Sequence, residues 1–358
     1  MHHTNDICGK RLSLLMAIVA ILLTFGPIAW AEPLTLNGGG ASFPAPLYTK
    51  WFKDFQRSHP EIQINYKPFG SAAGISNFTS KRLDFAGSDV PMTDDQIAEV
   101  ADGVVQVPMT AGAIVFIYNL EGIKDVQLSR EAYTGIFLGT VKNWRDPLIL
   151  ETNKGLNLPD KEITVVVRVD GSGTTQVLTQ HIGAVNPAFA KTVGSSKKPV
   201  WPDVLQREGR LEKVPGNGGV AQMIKVLPGS IGYTEYSYAY FTDISMATLQ
   251  NKAGSYVYPT THAFLEAVAS TEVPSGVSSL RSIPIDPTRK GAYPILSLSW
   301  LLFNQTYKDP AIHNALKKVI DYCLNEGQKH SFKTGYIPIV EPLLSEARKN
   351  VKAIGLKK

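Results

Sequence analysis

A short apolar run that passes through a turn of Gly and Ser into a helical pattern recurs along this sequence, and it constrains the fold more than any other feature. The clearest example is "ITVVV" (163–167), which continues as "RVDGSGTT" (168–175) and then as "QVLTQHIGAV" (176–185). Strands that alternate with helices predict an α/β fold whose sheets are mostly parallel. Ligands of such sheets bind where strands end and helices begin. The recurrence therefore predicts a site assembled from several loops.

The periodicity of apolar residues predicts where the main elements lie. Leu47, Trp51 and Phe55 recur every four residues, which predicts an amphipathic helix from about 45 to 58. The other segments with a clear pattern are the strand in "IQINYKPFG" (62–70), the helix in "SAAGISNFTSKRL" (71–83), a short strand in "DFAGSD" (84–89) that ends at Ser88 and Asp89, and two C-terminal helices, "PAIHNALKKVIDYCL" (310–324) and "VEPLLSEARKNVKAI" (340–354).

Residues 1–31 are typical of a secretory signal peptide that is cleaved before Glu32. Lys10 and Arg11 precede the apolar run "LSLLMAIVAILLTF", and the segment ends in Ala-Trp-Ala. A membrane anchor is the alternative, but Pro27 interrupts a run that is shorter than the roughly 20 apolar residues needed to span a bilayer. Cys8 precedes the run, whereas a lipid-modified cysteine follows it, so we expect a soluble product.

Length, charge and cysteine content narrow the function classes further. A chain of 358 residues exceeds the usual limit for one hydrophobic core, which predicts two lobes. The net charge is +5, but the basic residues are dispersed, so a nucleic-acid-binding tail is not predicted. Without residues 1–31 the only cysteine is Cys323, which excludes an internal disulfide and gives no metal or cofactor motif. Its apolar helical surroundings predict that it is buried.

The Gly/Ser turns have the chemistry of an anion site. A helix start presents unpaired backbone N–H groups and the positive end of the helix dipole. Ser42, Ser71 and the segment Ser172–Thr174 stand at such predicted starts, and together they would surround a tetrahedral oxyanion with donors. Taken singly, each is better explained as an ordinary helix cap.

Arg168 has two interpretations, because a charged side chain at the end of "ITVVV" is costly to bury alone. Its guanidinium either holds the oxygens of an anion or forms a salt bridge with Asp170 or another acid. Asp170 itself is expected to cap the helix that follows.

A catalytic interpretation of the same stretch is weaker. "DGSG" is not the Gly-x-Ser-x-Gly nucleophile elbow, since Asp170 occupies the position of its first glycine. His181 lies two helical turns beyond Ser172 and is expected to point elsewhere. The chain also lacks a Gly-Lys-Ser/Thr phosphate-binding loop, so nucleotide phosphates are not the expected ligand.

Taken together, five segments resemble the periplasmic phosphate-binding proteins that serve ABC-type phosphate transporters. They are "GGGASFPAPLYTKW" (38–51), "GSAAG" (70–74), "DFAGSDVPM" (84–92), "RVDGSGTT" (168–175) and "LPGSIGYTEYSYA" (227–239). The resemblance implies a two-lobed α/β fold of the Venus-flytrap type (type II), with residues 32–112 and 293–358 in the first lobe and 113–292 in the second. It also implies a phosphate shell of Ser42, Phe43 (through its backbone N–H), Ser71, Asp89, Arg168, Ser172, Gly173 and Thr174.

The function implied by the resemblance is high-affinity binding of inorganic phosphate and its delivery to an ABC permease and ATPase complex at the inner membrane. Phosphate carries a proton at neutral pH and sulfate carries none, so a buried Asp89 would accept a hydrogen bond from phosphate and repel sulfate. We expect a monomer without a cofactor that is not an enzyme. The alternatives are a secreted phosphatase with a related anion cradle and a binding protein for another oxyanion, of which arsenate has both the shape and the proton of phosphate.

Overall fold

The computed structural model of the protein describes residues 32–270 and 285–357, so the predicted signal peptide lies outside the described residues. The strands are β1 (Leu34–Gly40), β2 (Ile62–Lys67), β3 (Phe85–Ser88), β4 (Val104–Tyr118), β5 (Gln127–Leu128), β6 (Thr164–Arg168), β7 (Leu211–Val214), β8 (Ser230–Glu235), β9 (Thr248–Gln250), β10 (Tyr256–Val257), β11 (Leu296–Asn304), β12 (Thr306–Tyr307), β13 (Ile337–Pro338) and β14 (Gly355–Leu356).

The α-helices alternate with these strands along most of the chain. They are α1 (Ala45–Ser58), α2 (Ser71–Thr79), α3 (Asp94–Ala98), α4 (Arg130–Leu138), α5 (Pro147–Leu150), α6 (Gly173–Val185), α7 (Pro187–Thr192), α8 (Asp203–Arg207), α9 (Gly216–Val226), α10 (Tyr236–Tyr240), α11 (Thr261–Ala269), α12 (Pro310–Leu324) and α13 (Leu343–Val351). Two 3-10 helices, Gly327–His330 and Phe332–Thr334, follow α12. The helices predicted over 45–58, 71–83, 310–324 and 340–354 are confirmed, although the second and the last are shorter than predicted.

One nine-stranded sheet carries the fold, in the order β2-β1-β3-β11-β4-β8-β6-β7, with β13 paired to β4. The strands that lead through a Gly/Ser turn into a helix pair in parallel, namely β1 with β2 and β3, and β6 with β7 and β8. The strands at the centre do not: β11 is antiparallel to β3 and β4, and β4 is antiparallel to β8. The prediction of mostly parallel sheets is therefore wrong for the centre of this sheet.

Strand β4 connects the two halves of the sheet, which are β2-β1-β3-β11 on one side and β8-β6-β7 on the other. Its first part pairs with β11 as far as Ala113, and its last five residues, from Ile114 to Tyr118, pair with β8. From Val107 onward each of its residues is buried, because the strand runs through the middle of the molecule. The two halves thus share one continuous strand.

Helix α1 shows how the predicted pattern becomes a core. Its apolar face buries Tyr48, Trp51, Phe52 and Phe55, and Trp51 Nε1 donates a hydrogen bond to Gly327 O at 2.7 Å. A fully buried side chain of this kind contributes roughly 1.5–3 kcal/mol to the stability of the fold.

Cys323 on α12 is a free, fully buried cysteine, as predicted. No helix within the described parts of the chain is long and apolar enough to cross a membrane.

Candidate functional site

The turns singled out in the sequence meet where the two halves of the sheet face each other. Gly173 at the start of α6 donates its backbone N–H to Ser71 Oγ at the start of α2 (3.2 Å). Thr174 Oγ1 donates to Asp89 Oδ2 (3.2 Å), and Ala72 N donates to Gly171 O (2.9 Å). Loops that are about 100 residues apart in the chain are therefore in direct contact. The predicted residues that are buried here are Ser42, Phe43, Ser71, Asp89, Arg168, Ser172, Gly173 and Thr174.

Asp89, directly after β3, is the carboxylate of this site and is only 2% exposed. Its Oδ1 accepts from Ser299 Oγ on β11 (3.0 Å), and its Oδ2 accepts from Thr174 Oγ1 (3.2 Å) and Ser71 Oγ (3.5 Å). Burial raises the pKa of Asp89 to about 7, against the opposing effects of the Ser299 hydrogen bond and the Arg168 charge. The group is therefore a hydrogen-bond acceptor placed among hydroxyl donors in a dry environment.

Arg168, the last residue of β6, is held by Asp170. Its Nε donates to Asp170 Oδ1 at 2.8 Å, and its Nη2 pairs with Asp170 Oδ2. Its Nη1 is buried and has no hydrogen-bond partner among the described residues. The salt bridge to Asp170 is thus present, and it leaves one guanidinium nitrogen free to donate. A buried donor without a partner is rare and costs about 1–3 kcal/mol, which marks it as a place for a ligand.

The start of α6 corrects the expectation for Asp170. The residue that caps α6 is Ser172, whose Oγ accepts from Thr175 N at 3.1 Å, so the assignment of Asp170 as the cap is wrong. Asp170 instead joins Arg168 to the start of α9, where Gly216 N donates to its Oδ1 at 3.0 Å. The carboxylate of Asp170 pairs with the Arg168 guanidinium through two parallel N–H···O hydrogen bonds, whereas at a helix start it would accept from a backbone N–H group.

The turn after β1 brings Ser42 and Phe43 to the same place. Ser42 Oγ accepts two hydrogen bonds from Asn217, one from its backbone N–H (3.1 Å) and one from Nδ2 (2.9 Å). Phe43 O accepts from the hydroxyl of Tyr336 at 2.6 Å, and Ser42 O accepts from the hydroxyl of Tyr238 at 2.6 Å. The backbone of this turn is therefore held by the hydroxyls of Tyr238 and Tyr336, and the Ser42 side chain is held by Asn217.

Sequence reasoning missed Ser299 and Asn217, whose side chains hydrogen-bond to side chains of the predicted set. Ser299 lies on β11 and donates to Asp89; its signal in the sequence is "LSLSW", where serines alternate with large apolar residues on a buried strand. Asn217 lies in the first turn of α9 and contacts both Ser42 and Thr174. Its signal is "PGNGG", an amide side chain between glycines at a helix start of the same kind as the others.

Two further ionisable groups border the site. The carbonyl of Lys197 accepts from Ser172 N at 2.8 Å; burial lowers the pKa of Lys197, and the charge of Asp89 opposes that effect. Glu235, at the end of β8, is fully buried, and burial raises its pKa to about 8. Its Oε2 accepts from Tyr336 OH (2.9 Å) and from the backbone and hydroxyl of Ser237, whereas Oε1 has no partner in the described structure.

The raised pKa of Glu235 predicts a specific pH dependence of stability. In the unfolded chain this carboxyl releases its proton near its ordinary value of 4.5, whereas in the folded protein it holds the proton up to about 8. Folding stability should therefore fall as pH rises between these two values. Glu235→Gln removes this contribution, so its stability relative to the unsubstituted protein should rise from pH 5 to pH 8 by on the order of 4 kcal/mol.

Chemical denaturation at several pH values would measure this effect in ligand-free protein. Glu121→Gln, at an exposed glutamate, is the matched control and should leave the pH profile unchanged. A difference between Glu235→Gln and the unsubstituted protein that is constant from pH 5 to pH 8 would show that Glu235 is ionised throughout.

Ser172 and His181, the two residues of the catalytic interpretation, have different hydrogen-bond partners. Ser172 Oγ accepts from Thr175 N, and His181 Nε2 is 3.1 Å from the hydroxyl of Tyr133. Burial lowers the pKa of His181 to about 4. Across residues 32–270 and 285–357, no three His, Cys, Asp or Glu side chains are grouped so that they could hold a metal ion.

Comparisons with known proteins agree with this architecture. The profile of the PBP superfamily domain matches residues 29–326. The phosphate-binding protein PstS of Pasteurella multocida is 34% identical over 333 residues, which cover 92% of this chain and 93% of the relative. The PstS protein of Haemophilus influenzae is 32% identical, with 92% and 96% covered.

Solved structures extend the likeness to the fold. PfluDING, a high-affinity periplasmic phosphate-binding protein bound with phosphate, has a TM-score of 0.70 at 19% identity, with 88% of this chain and 93% of that chain covered. A phosphate-binding protein of Stenotrophomonas maltophilia has a TM-score of 0.70 at 19% identity, with 89% and 94% covered. The expected two-lobed α/β fold is confirmed by this likeness and by the match to the superfamily.

Proposed function

The chain belongs to the PBP superfamily and, within it, to the PstS phosphate-binding proteins, and from this premise we propose that it binds inorganic phosphate for import by an ABC transporter. One observation carries the proposal for this particular chain. Buried hydroxyls, helix-start N–H groups and the carboxylate of Asp89 converge from both halves of the sheet, together with Arg168 Nη1, which has no partner among the residues that the structure describes. This donor-rich set with a single acceptor suits an oxyanion that carries a proton.

The proposed ligand shell divides into donors and one acceptor. Arg168 supplies positive charge through Nη1, and Asp89 accepts the hydrogen of the phosphate O–H group. The remaining donors are the hydroxyls of Ser42, Ser71 and Ser172 and the backbone N–H groups of Phe43, Gly173 and Thr174. The Gly173 N–H donates to Ser71 Oγ in this structure and would turn to the ligand on binding. Ser172 caps α6 through a lone pair of Oγ, so its hydroxyl hydrogen is still available to a ligand.

Titration calorimetry with phosphate, sulfate and arsenate tests the function directly. We expect tight phosphate binding, binding of arsenate because it has the same shape and proton, and no measurable sulfate binding. Equal affinity for phosphate and sulfate would contradict the role given to Asp89. Absence of phosphate binding by the folded protein would overturn the proposed function.

We propose that the first lobe comprises residues 32–112 and 293–358 and the second lobe residues 113–292, with phosphate bound between them. The pairing of β4 supports this division, since its partner changes from β11 to β8 after Ala113. Lobe closure on binding would offer the closed form to the permease. Small-angle scattering should therefore show compaction when phosphate is added, and an unchanged radius of gyration would count against closure.

A single methyl group should hinder this closure. A Cβ atom at Gly171 would lie 2.4 Å from Ala72 Cβ, so that the loop before α6 would be pushed away from the start of α2. Gly171→Ala should therefore weaken phosphate binding by about tenfold, equivalent to about 1.4 kcal/mol, without altering the proposed ligand shell. Gly155→Ala is the matched control, because nothing lies within 4 Å of a Cβ atom there. Calorimetry that found equal affinities for both variants would contradict this contact.

We propose a binding protein rather than a phosphatase. His181 supports this assignment, because its Nε2 lies 3.1 Å from the hydroxyl of Tyr133 and its pKa is low, so it is not prepared to take a proton from Ser172. Turnover of p-nitrophenyl phosphate should stay at the buffer rate. Turnover that persists in purified protein and is lost in Ser172→Ala would favour the phosphatase instead.

The remaining parts of the proposal concern the cellular setting. We propose export through a signal peptide of residues 1–31, a monomer in the periplasm, and docking to a permease and ATPase complex at the inner membrane. Mass spectrometry of the exported protein should give a chain that begins at Glu32. Light scattering of the same sample should give the mass of one chain.

A further inference from the structure

Asn217 is fully buried at the start of α9, and its amide has one possible orientation. Its Oδ1 accepts from Glu235 N at 3.0 Å and from Thr234 Oγ1 at 3.3 Å. A backbone N–H can only donate, so the atom facing Glu235 N has to be the amide oxygen. The opposite end of the amide, which faces the proposed phosphate site, is therefore the NH₂ group.

The two hydrogens of that NH₂ group go to hydroxyls from different loops. Nδ2 donates to Ser42 Oγ at 2.9 Å and to Thr174 Oγ1 at 3.2 Å. The backbone N–H of Asn217 also donates to Ser42 Oγ, at 3.1 Å. Both lone pairs of the Ser42 hydroxyl are thus occupied, and its hydrogen is the only polar part that remains.

A hydroxyl can donate or accept, but only donation is favourable toward an anion. We propose that Asn217 is a positioning residue that fixes the direction of the Ser42 and Thr174 hydroxyls, so that Ser42 presents its hydrogen to the anion and Thr174 presents its hydrogen to Asp89. This inference rests on the proposed phosphate binding. The observed Thr174 Oγ1 to Asp89 Oδ2 bond of 3.2 Å supports it, since the oxygen that accepts from Asn217 is the one that donates to Asp89.

The physical gain is preorganisation. A free hydroxyl rotates among several positions and binds solvent, and both the rotation and the solvation have to be given up when an anion arrives. Donors that are already aimed at the place of negative charge avoid that cost. Asn217 does this for one hydroxyl from each half of the sheet, while its own oxygen stays anchored to β8.

A double-mutant cycle of Asn217 with Ser42 separates this role from a merely structural one. Phosphate affinity is measured by calorimetry for the unsubstituted protein, Asn217→Ala, Ser42→Ala and the double variant. If Asn217 acts by orienting the Ser42 hydroxyl, its substitution should matter much less once that hydroxyl is gone. We expect a coupling of about tenfold or more in affinity. Losses that multiply independently would overturn the inference.

Asn217→Asp is the second variant, because it keeps an acceptor for Glu235 N and Thr234 and changes only the end that faces the site. Its second oxygen would accept from both hydroxyls and reverse their direction, and its charge would repel an anion. Phosphate affinity should fall by about 100-fold or more. Unchanged affinity would overturn the inference even if Asn217→Ala failed to fold.

Asn153→Ala supplies the matched control. Asn153 is also buried, and its Oδ1 accepts from Gln127 N at 2.8 Å, but its Nδ2 donates to the backbone carbonyls of Gln127 and Ile149, away from the site. This variant should keep phosphate affinity within about twofold, whatever its stability. Failure of the unsubstituted protein to bind phosphate would instead reject the proposed function, which the cycle would reveal in its first measurement.

Discussion

Arg168→Ala is expected to weaken phosphate binding by roughly 2–5 kcal/mol, the range found for the loss of a buried charged partner. This corresponds to about a 30- to 4,000-fold loss of affinity. The guanidinium is the one positive charge among the proposed contacts, and its Nη1 is buried without a partner among the described residues. Phosphate would give this donor its partner, and the alanine variant would leave the anion with neutral donors only.

Calorimetry of Arg168→Ala and Arg168→Lys would separate charge from geometry. Lysine keeps the positive charge, so Arg168→Lys should lose less phosphate affinity than Arg168→Ala. Some affinity should still be lost, because lysine cannot pair with both oxygens of Asp170 and also reach the ligand. Arg130→Ala is the control, because Arg130 forms an equally bidentate pair with Asp286 outside the site. Affinity within twofold of the unsubstituted protein in Arg168→Ala would remove Arg168 from the ligand shell.

Asp89→Asn is expected to lower the selectivity for phosphate over sulfate: sulfate affinity should rise by a larger factor than phosphate affinity falls. A site built around a hydrogen-bonding proton can reject an analogue that lacks it by about 10⁴-fold or more. The carboxylate supplies that rejection, because it faces sulfate with lone pairs and negative charge only. An amide of the same shape replaces one oxygen by an NH₂ donor, so that sulfate finds a favourable partner there.

Competition of sulfate against phosphate measures the effect. The ratio of the two affinities should fall by about 100-fold or more in Asp89→Asn. Asp84→Asn is the control: Asp84 directly precedes β3, and its carboxylate accepts from Asn37 N away from the proposed site. An unchanged ratio in Asp89→Asn would show that selectivity is achieved by other groups.

Local pattern was a good guide wherever a segment folds against its immediate neighbours. The four-residue spacing of Leu47, Trp51 and Phe55 predicts α1 because the period of a helix decides which side chains share a face. In the same way "ITVVV" predicts a buried strand, and "DGSG" predicts the turn into α6. Such signals depend on contacts between residues close in sequence.

The antiparallel centre of the sheet could not be predicted in this way. Strands β4 and β11 are buried strands separated by 177 residues at their nearest ends, and a buried strand gives no local sign of which way its neighbour runs. Their pairing depends on the path of the chain between them, which no local spacing encodes. The role of Asp170 was misjudged for a related reason, since its partner Gly216 lies 46 residues away.

The amino-acid sequence alone therefore predicted the helices over 45–58, 71–83, 310–324 and 340–354, the donor-rich turns and, through five motifs, the family and its ligand. The tertiary structure alone brought Ser299 and Asn217 to the predicted residues and left Arg168 Nη1 as a buried donor without a partner in the described chain. The physical reason is that each residue of the sequence fixes the chemical type of its own side chain, whereas the hydrogen-bond partners of that side chain come from residues distant in the sequence. Whether a hydroxyl donates or accepts is decided by the groups that surround it, and here those groups come from distant parts of the chain.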